Sequence, residues 1–191
     1  MIEKLYEILK ETPIDKETLM NLVPLLRELN EYEFYHPAHA YNVLDHSIKA
    51  AELVDDIFLR LVLIFHDVGK LNTGLEVPNY DKLKPPVTKF PNHEEESVRL
   101  TKEVLEGELN ENSLYTLLEI IKYHDTPLVI HDNESVMNEL IDKYGYEFVG
   151  MLLKVQRADL ITHSDKYYNV MKPGLDNAFN VYELIYKNSM L

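Results

Sequence analysis

Apolar residues recur along this chain mostly at three- and four-residue spacings, with little strict alternation. That is the period of helices with one buried face, not of strands. The pattern predicts a first helix over Ile2 to Leu9 and a break at Thr12-Pro13-Ile14-Asp15, where Thr can cap, Pro suits a first helical position and Asp suits the positive end of the next helix. A second helix carries Leu19, Leu22, Val23 and Leu26 to about Glu33. Pro24 inside it removes a backbone donor, so a kink or a late start is expected. Further helices are expected from about Ala38 to Val54, Asp55 to Lys70, Leu114 to Tyr123, Ser135 to Tyr144, Tyr146 to His163 and Asp176 to Lys187. Another starts at Asn92, with Glu95 as its capping-box partner. The segments 55–70 and 146–163 are apolar on most sides, which marks them as the central helices of a bundle. The expected architecture is all-α and single-domain over 1–191, with N-terminal helices in 1–34, a core in 36–165 and a C-terminal helix in 166–191.

One connection departs from this regularity. Between about Leu71 and Pro91 four prolines fall in a stretch without periodicity, whereas connections in helix bundles usually run about 2–8 residues. It carries Lys82, Lys84 and Lys89 against Asp81, which suits either a solvated loop or a lid facing phosphate.

Composition narrows the classes. The chain of 191 residues is 46% hydrophobic, enough for a substantial core, so disorder is not its main state. Lys and Arg number 19 against 33 Asp and Glu, a net charge of −14. Such a surface repels phosphodiester backbones and disfavours duplex nucleic acid as a partner, while a metal or a local basic patch still allows a small anion. The absence of cysteine removes disulfides, thiolate nucleophiles, iron–sulfur sites and Cys-based zinc fingers, leaving imidazole and carboxylate as metal ligands. The charged, amphipathic amino terminus does not read as a signal peptide, and no run of about 18 apolar residues exists. A soluble cytoplasmic protein without a membrane partner is the expectation.

Candidate chemistry centres on Leu61-Val-Leu-Ile-Phe-His-Asp-Val-Gly-Lys70. His66 and Asp67 follow a strongly apolar run, where a buried polar group needs a partner, and a metal ion satisfies both. Gly69 permits close backbone approach, and Lys70 follows at helical spacing. His39 and His46 lie two turns apart in the preceding predicted helix, so one of them can point where His66 points. Asp159, in Val155-Gln-Arg-Ala-Asp-Leu-Ile161, is a carboxylate among apolar neighbours and needs a cation, donors or a proton. Two histidines and two aspartates from three helices make an octahedral site with positions left for water and substrate. His93 and His124, at the ends of two further predicted helices, can extend it. His36, His163 and the His131-Asp132 pair are read as structural or surface residues, with Thr162 and His163 near enough to Asp159 to support it.

The ordered series His46, His66-Asp67, His93, His124, Asp159 resembles the HD superfamily of metal-dependent phosphohydrolases over about residues 36–165. Within it, the strings around His39–Ser47, Phe90–Ser97 and Arg157–Leu160 look like the HD domain carried by bacterial tRNA nucleotidyltransferases, although the chain has no room for their nucleotidyltransferase domain. The resemblance implies a helical HD-type fold in which 36–165 is the metal-binding core. It implies that His46, His66, Asp67 and Asp159 hold one divalent ion and that Asp67 reaches a second held by His93 and His124. Fe, Mn, Zn, Mg, Co and Ni are not distinguished. Asp67 and Lys70 then serve catalysis with Glu94 as a candidate for proton transfer, while Lys70, Lys82, Lys84 and Lys89 contact substrate. The expected reaction is cleavage of a nucleotide or other small phosphate mono- or diester by metal-activated water, with Tyr41 or Tyr80 available for base stacking. A non-catalytic nucleotide-sensing module and a diiron oxygenase on the same scaffold are the alternatives.

Overall fold

The computed structural model describes residues 1–126 and 134–189, and the His131-Asp132 pair lies outside them. In chain order the described residues form α1 (Ile2–Lys10), α2 (Lys16–Leu22), α3 (Pro24–Glu31), α4 (Val43–Glu52), α5 (Ile57–Phe65), α6 (Lys70–Thr73), β1 (Leu75–Val77), β2 (Val87–Lys89), α7 (His93–Leu105), α8 (Glu111–Tyr123), α9 (Glu134–Tyr144), α10 (Tyr146–Ile161) and α11 (Asp165–Ser189). Among the described residues the fold is all-α apart from one short strand pair. No helix among the described residues is long and apolar enough to cross a membrane.

The sequence of α5, IFLRLVLIF, is apolar almost all round, and Leu59 to Phe65 are buried on every side. Helices α1, α4, α8 and α10 pack around it. One apolar cluster built on this helix runs from Leu5 to Ala178. Arg60 is the exception inside α5. Its Nε donates to the Val54 carbonyl at 2.7 Å, and its Nη1 donates to the carbonyls of Leu9 at 2.7 Å and Glu11 at 3.1 Å and to Thr12 Oγ1 at 3.2 Å. The guanidinium thus satisfies acceptors left open at the C-terminal end of α1, which is why a charge is tolerated in the core.

Several element boundaries differ from the periodicity reading. Pro24 starts α3 after a break at Val23, the late start its missing N–H demands. Asp15, not Thr12, caps α2, accepting from Thr18 N at 3.1 Å. The helix expected from Ala38 begins at Val43, because Asn42 caps it by accepting from Asp45 N at 2.7 Å. His39 therefore lies in the turn before α4, where its backbone pairs with His163, and does not share a helix face with His46. The helix expected over 55–70 ends at Phe65, and a turn over 66–69 leads into α6. In that turn Val68 N and Lys70 N donate to the carbonyls of Phe65 and Asp67 at 3.3 and 3.0 Å, the tighter i→i+3 pattern that closes a helix end. Asn92 adopts left-handed φ of 56° and makes no side-chain cap bond, so the expected capping box does not form.

The stretch expected to be irregular contains β1 and β2, antiparallel, with Leu75 opposite Lys89 and Val77 opposite Val87. Thr88 N donates to the Tyr35 carbonyl at 2.7 Å and ties this pair to the segment before α4. The last helix starts at Asp165, not Asp176, and runs through Pro173. The proline leaves the Asn169 carbonyl without its helical donor, but Asn169 is exposed and water can replace that bond.

Candidate metal centre

Three elements meet to form a first group of ligand types. Helix α4 supplies His46, the turn after α5 supplies His66 and Asp67, and the last turn of α10 supplies Asp159. His46 Nε2 lies 2.7 Å from Asp159 Oδ1 and 3.7 Å from Asp67 Oδ2. His66 Nε2 lies 3.3 Å from Asp67 Oδ2 and 3.4 Å from Asp159 Oδ1. One ligand atom from each of the four residues falls within 4.8 Å of every other. A second group adjoins it, in which His93 Nε2 and His124 Nε2 lie 3.3 and 3.6 Å from Asp67 Oδ1 and 3.3 Å from each other. Asp67 thus presents Oδ2 to one pair of histidines and Oδ1 to the other.

The imidazoles are aimed by bonds on their far side. Nδ1 of His66, His93 and His124 donates to the carbonyls of Leu63, Phe90 and Ile121 at 2.7, 2.9 and 2.6 Å. Thr162 Oγ1 donates to the Asp159 carbonyl at 2.7 Å and so accepts from His46 Nδ1 at 3.0 Å. A carbonyl only accepts, so each Nδ1 carries a proton and each Nε2, the atom free to bind a cation, faces inward. Gly69 holds the two groups close. A Cβ there would sit 2.2 Å from the His93 carbonyl oxygen, and Gly69 N donates to Ser97 Oγ at 2.8 Å. Any side chain at 69 would push α7, and His93 with it, away from Asp67.

The donor set fits a divalent cation. His66 Nε2 and Asp67 Oδ1 are buried and make no hydrogen bond among the described residues, an expensive state unless something else satisfies them. Two inward Nε2 atoms 3.3 Å apart, both with protonated Nδ1, cannot bond each other without a shared proton or cation. Burial would raise the Asp67 carboxyl, but the charges of His66 and Lys70 outweigh it and hold the group well below the usual range. Burial acts likewise on Asp159, where His163 and the contact with His46 prevail in the opposite sense and hold it low. Burial alone would discharge His124, yet contact with Asp67 and the charges of Asp125 and Asp159 push it up to about 9. The centre draws positive charge, and imidazole plus carboxylate without thiolate suits the borderline and harder divalent metals.

A cavity of about 400 Å³ opens onto Asp67, His93, His124 and Asp159. Larger hollows elsewhere, such as one of about 510 Å³ beside Leu53 and Phe179, hold none of the six ligand candidates. Lys70 lies on the cavity wall with its Nζ 2.6 Å from Asp67 Oδ2, and Lys89 lines it from the end of β2. Lys82 and Lys84 do not line it; they are exposed in the loop between β1 and β2, which carries them away from the ligands. Glu94 approaches the Nδ1 side of His93 at 3.5 Å, opposite the side that faces Asp67. The wall also contains residues that sequence reasoning left aside. His163 donates from Nδ1 to the Asp159 carbonyl at 2.9 Å and stacks on Tyr167, ring centroids 4.9 Å apart. Asp125 stands 3.5 Å from His93 Nε2, and its only signal was that His124-Asp125 repeats the His-Asp dipeptide. His36 and His39 complete this side, and burial followed by the charge of Lys70 pushes His39 down to about 2. Tyr41 and Tyr80, expected as stacking partners, are exposed and outside the cavity.

A family model described as the HD domain matches residues 38–167. A search of curated proteins finds no match. The matched stretch begins just before α4, ends just inside α11 and contains all six ligand candidates. HD domains are mostly metal-dependent hydrolases that bind divalent ions. With more than half its length matched and the His-Asp pair at the centre of the cluster, the chain belongs to the HD domain family.

Proposed function

We propose that this protein hydrolyses a small phosphate ester, a nucleotide by preference, at the cluster around Asp67. The observation that carries the reading is the division of the Asp67 carboxylate, one oxygen toward His46 and His66 and the other toward His93 and His124. His46, His66, Asp67 and Asp159 would hold one divalent ion, and Asp67, His93 and His124 a second. When bound, such ions supply water acidified toward neutral pH and Lewis acidity for the phosphoryl oxygens.

The chain's own groups supply the rest. Lys70 Nζ is charged, since the attraction of Asp67 and Asp159 outweighs its burial and raises its pKa, and it can meet a phosphate oxygen at the cavity wall. Lys89 adds charge at the mouth and favours arrival of an anion on an otherwise acidic protein. Asp125, on the wall beside His93, would take a proton from an attacking water, while Glu94, near the His93 Nδ1 that donates to Phe90, would act only as a neighbouring charge. Phe90 and the stacked His163–Tyr167 pair offer flat apolar faces to the organic part of the ester. A cavity of about 400 Å³ admits a mononucleotide-sized ligand and suits no duplex.

The test is a screen of phosphate mono- and diesters with added divalent ions, run beside Asp67→Ala. We expect metal-dependent release of phosphate or of an alcohol, falling at least about 100-fold in the variant, because the one carboxylate shared by both groups is gone. Turnover that survives Asp67→Ala would sink the hydrolase reading.

A further inference from the structure

Gln156 lies on α10, one turn before Asp159, and is 6% exposed. Its neighbours Leu152, Leu153 and Val155 are fully buried, so an apolar residue would pack there without the cost of burying an amide. The cost is real. Gln156 Oε1 is buried and has no hydrogen-bond partner among the described residues. The compensation is on the other atom. Nε2 donates to the carbonyls of Thr126 at 2.8 Å and His124 at 2.9 Å, with Tyr123 O at 3.4 Å.

Those carbonyls belong to the C-terminal end of α8 and the turn after it, where a helix leaves its last acceptors unpaired. His124 is the residue at that end. Its Nδ1 is fixed on Ile121 O, so its Nε2 goes wherever the turn goes. Helix α10 therefore reaches both ligand groups, the first through Asp159 and the second through the Gln156 clamp on His124.

We infer that Gln156 is a positioning residue that sets the second metal group against the first by pinning the 123–126 turn to the helix bearing Asp159. The inference rests on the metal reading of the cluster but not on any reaction. Gln156 touches none of the six ligand atoms. Without its donor the turn loses its anchor on α10, and His124 Nε2 is no longer held 3.6 Å from Asp67 Oδ1 and 3.3 Å from His93 Nε2. The group of His46, His66, Asp67 and Asp159 has its own anchors on Leu63 and Thr162 and is left as it was.

The experiment titrates Mn(II) into the full-length protein by calorimetry and follows it by electron paramagnetic resonance. The wild type is expected to take up two equivalents, with the spectrum of a coupled pair, since one carboxylate faces both groups. Gln156→Leu, and Gln156→Met as a second donorless variant should the first not fold, should keep one binding event within about twofold. The other event should weaken about 10–100-fold, the range for loss of an outer supporting bond. At one equivalent the spectrum should be that of an isolated ion. Gln156→Glu keeps the shape but turns an acceptor toward three carbonyls, and should show the same loss. Two events unchanged in the variants, or both weakened alike, would overturn the positioning role. Uptake of a single equivalent by the wild type would overturn it too, by removing the second group. If the two events separate as expected while no ester is hydrolysed, the role of Gln156 stands and the hydrolase reading falls.

Discussion

His46 Nε2 and Asp159 Oδ1 lie 2.7 Å apart although 113 residues separate them in the chain. The contact joins α4 to α10, which pack on each other and on the central helix, so a cation held there would also fasten the bundle. A ligand that binds only the folded state stabilises it by about 2.7 kcal/mol at one hundred times its dissociation constant. A chain of this size moves by about 2–4 °C per kcal/mol. Removal of metal by a chelator should therefore lower the unfolding temperature by roughly 5–11 °C. Thermal unfolding followed by circular dichroism, with and without chelator, measures this, and an unchanged midpoint would mean the cluster carries no ion.

The lysines of the 71–91 stretch divide by position. Lys89 lines the cavity, whereas Lys82 and Lys84 project from the loop between β1 and β2. Lys89→Ala should raise the Michaelis constant for an anionic ester about 3–10-fold, the scale of one partly exposed charge. The double change Lys82→Ala with Lys84→Ala should leave it within about twofold, because exposed charges beyond the cavity are screened. Steady-state kinetics at low and moderate salt distinguish the two.

Arg60 tests stability separately from the site. Its guanidinium satisfies three carbonyls and a hydroxyl and makes no contact with a ligand candidate. Arg60→Leu leaves the buried Leu9 carbonyl and the part-buried Val54 carbonyl without their donor, while water can replace it at the exposed Glu11 and Thr12. The expected loss is about 1–3 kcal/mol, the cost of leaving a buried carbonyl without its donor. Denaturant unfolding should show it while metal stoichiometry stays the same; a change in stoichiometry would mean that the end of α1 is coupled to the centre.

Glu96 makes acid stability partly predictable. Hydrogen bonds from Arg99 and then from Asn72 of α6 pull its carboxyl from 4.5 down to about 2. A depressed folded-state pKa stabilises the fold above the unfolded value and loses that contribution as pH falls through the folded one. The difference in unfolding temperature between wild type and Glu96→Gln should be largest above about pH 5 and close between 4.5 and 2. Measured in chelator, so that metal release does not enter, a difference independent of pH would show that neither Arg99 nor Asn72 holds the Glu96 carboxylate in solution.

His66, Asp67, His124 and Asp159 could be read early because each is a polar residue at the edge or in the interior of an apolar run, whereas His93, among Asn92 and three glutamates, entered the series through the family resemblance. His66 and Asp67 end the most apolar helix of the chain, and Asp159 sits among buried neighbours. The wall of the cavity could not be read so. His36 and His39 lie in a turn where no period fixes orientation, and Pro173-Gly174 made the start of α11, with His163 just before it and Tyr167 within it, look like loop. Lys82, Lys84 and Lys89 looked alike as charges, and only the pairing of β1 with β2 separates them. Gln156 carried a faint signal, a polar side chain at a buried helical position, but its partners are carbonyls about thirty residues away, and carbonyls leave no trace in a sequence.

The sequence by itself determined the helical class, the apolar identity of α5 and which residue types stand ready for a cation, because period and polarity are local properties of the chain. The tertiary structure decided that Asp67 turns one oxygen to His46 and His66 and the other to His93 and His124, and that α10 holds both groups. Periodicity tells which face of a helix is buried. Which buried faces meet, and at what distance, follows from packing between segments remote in sequence, where a shift of an ångström separates a ligand from a neighbour.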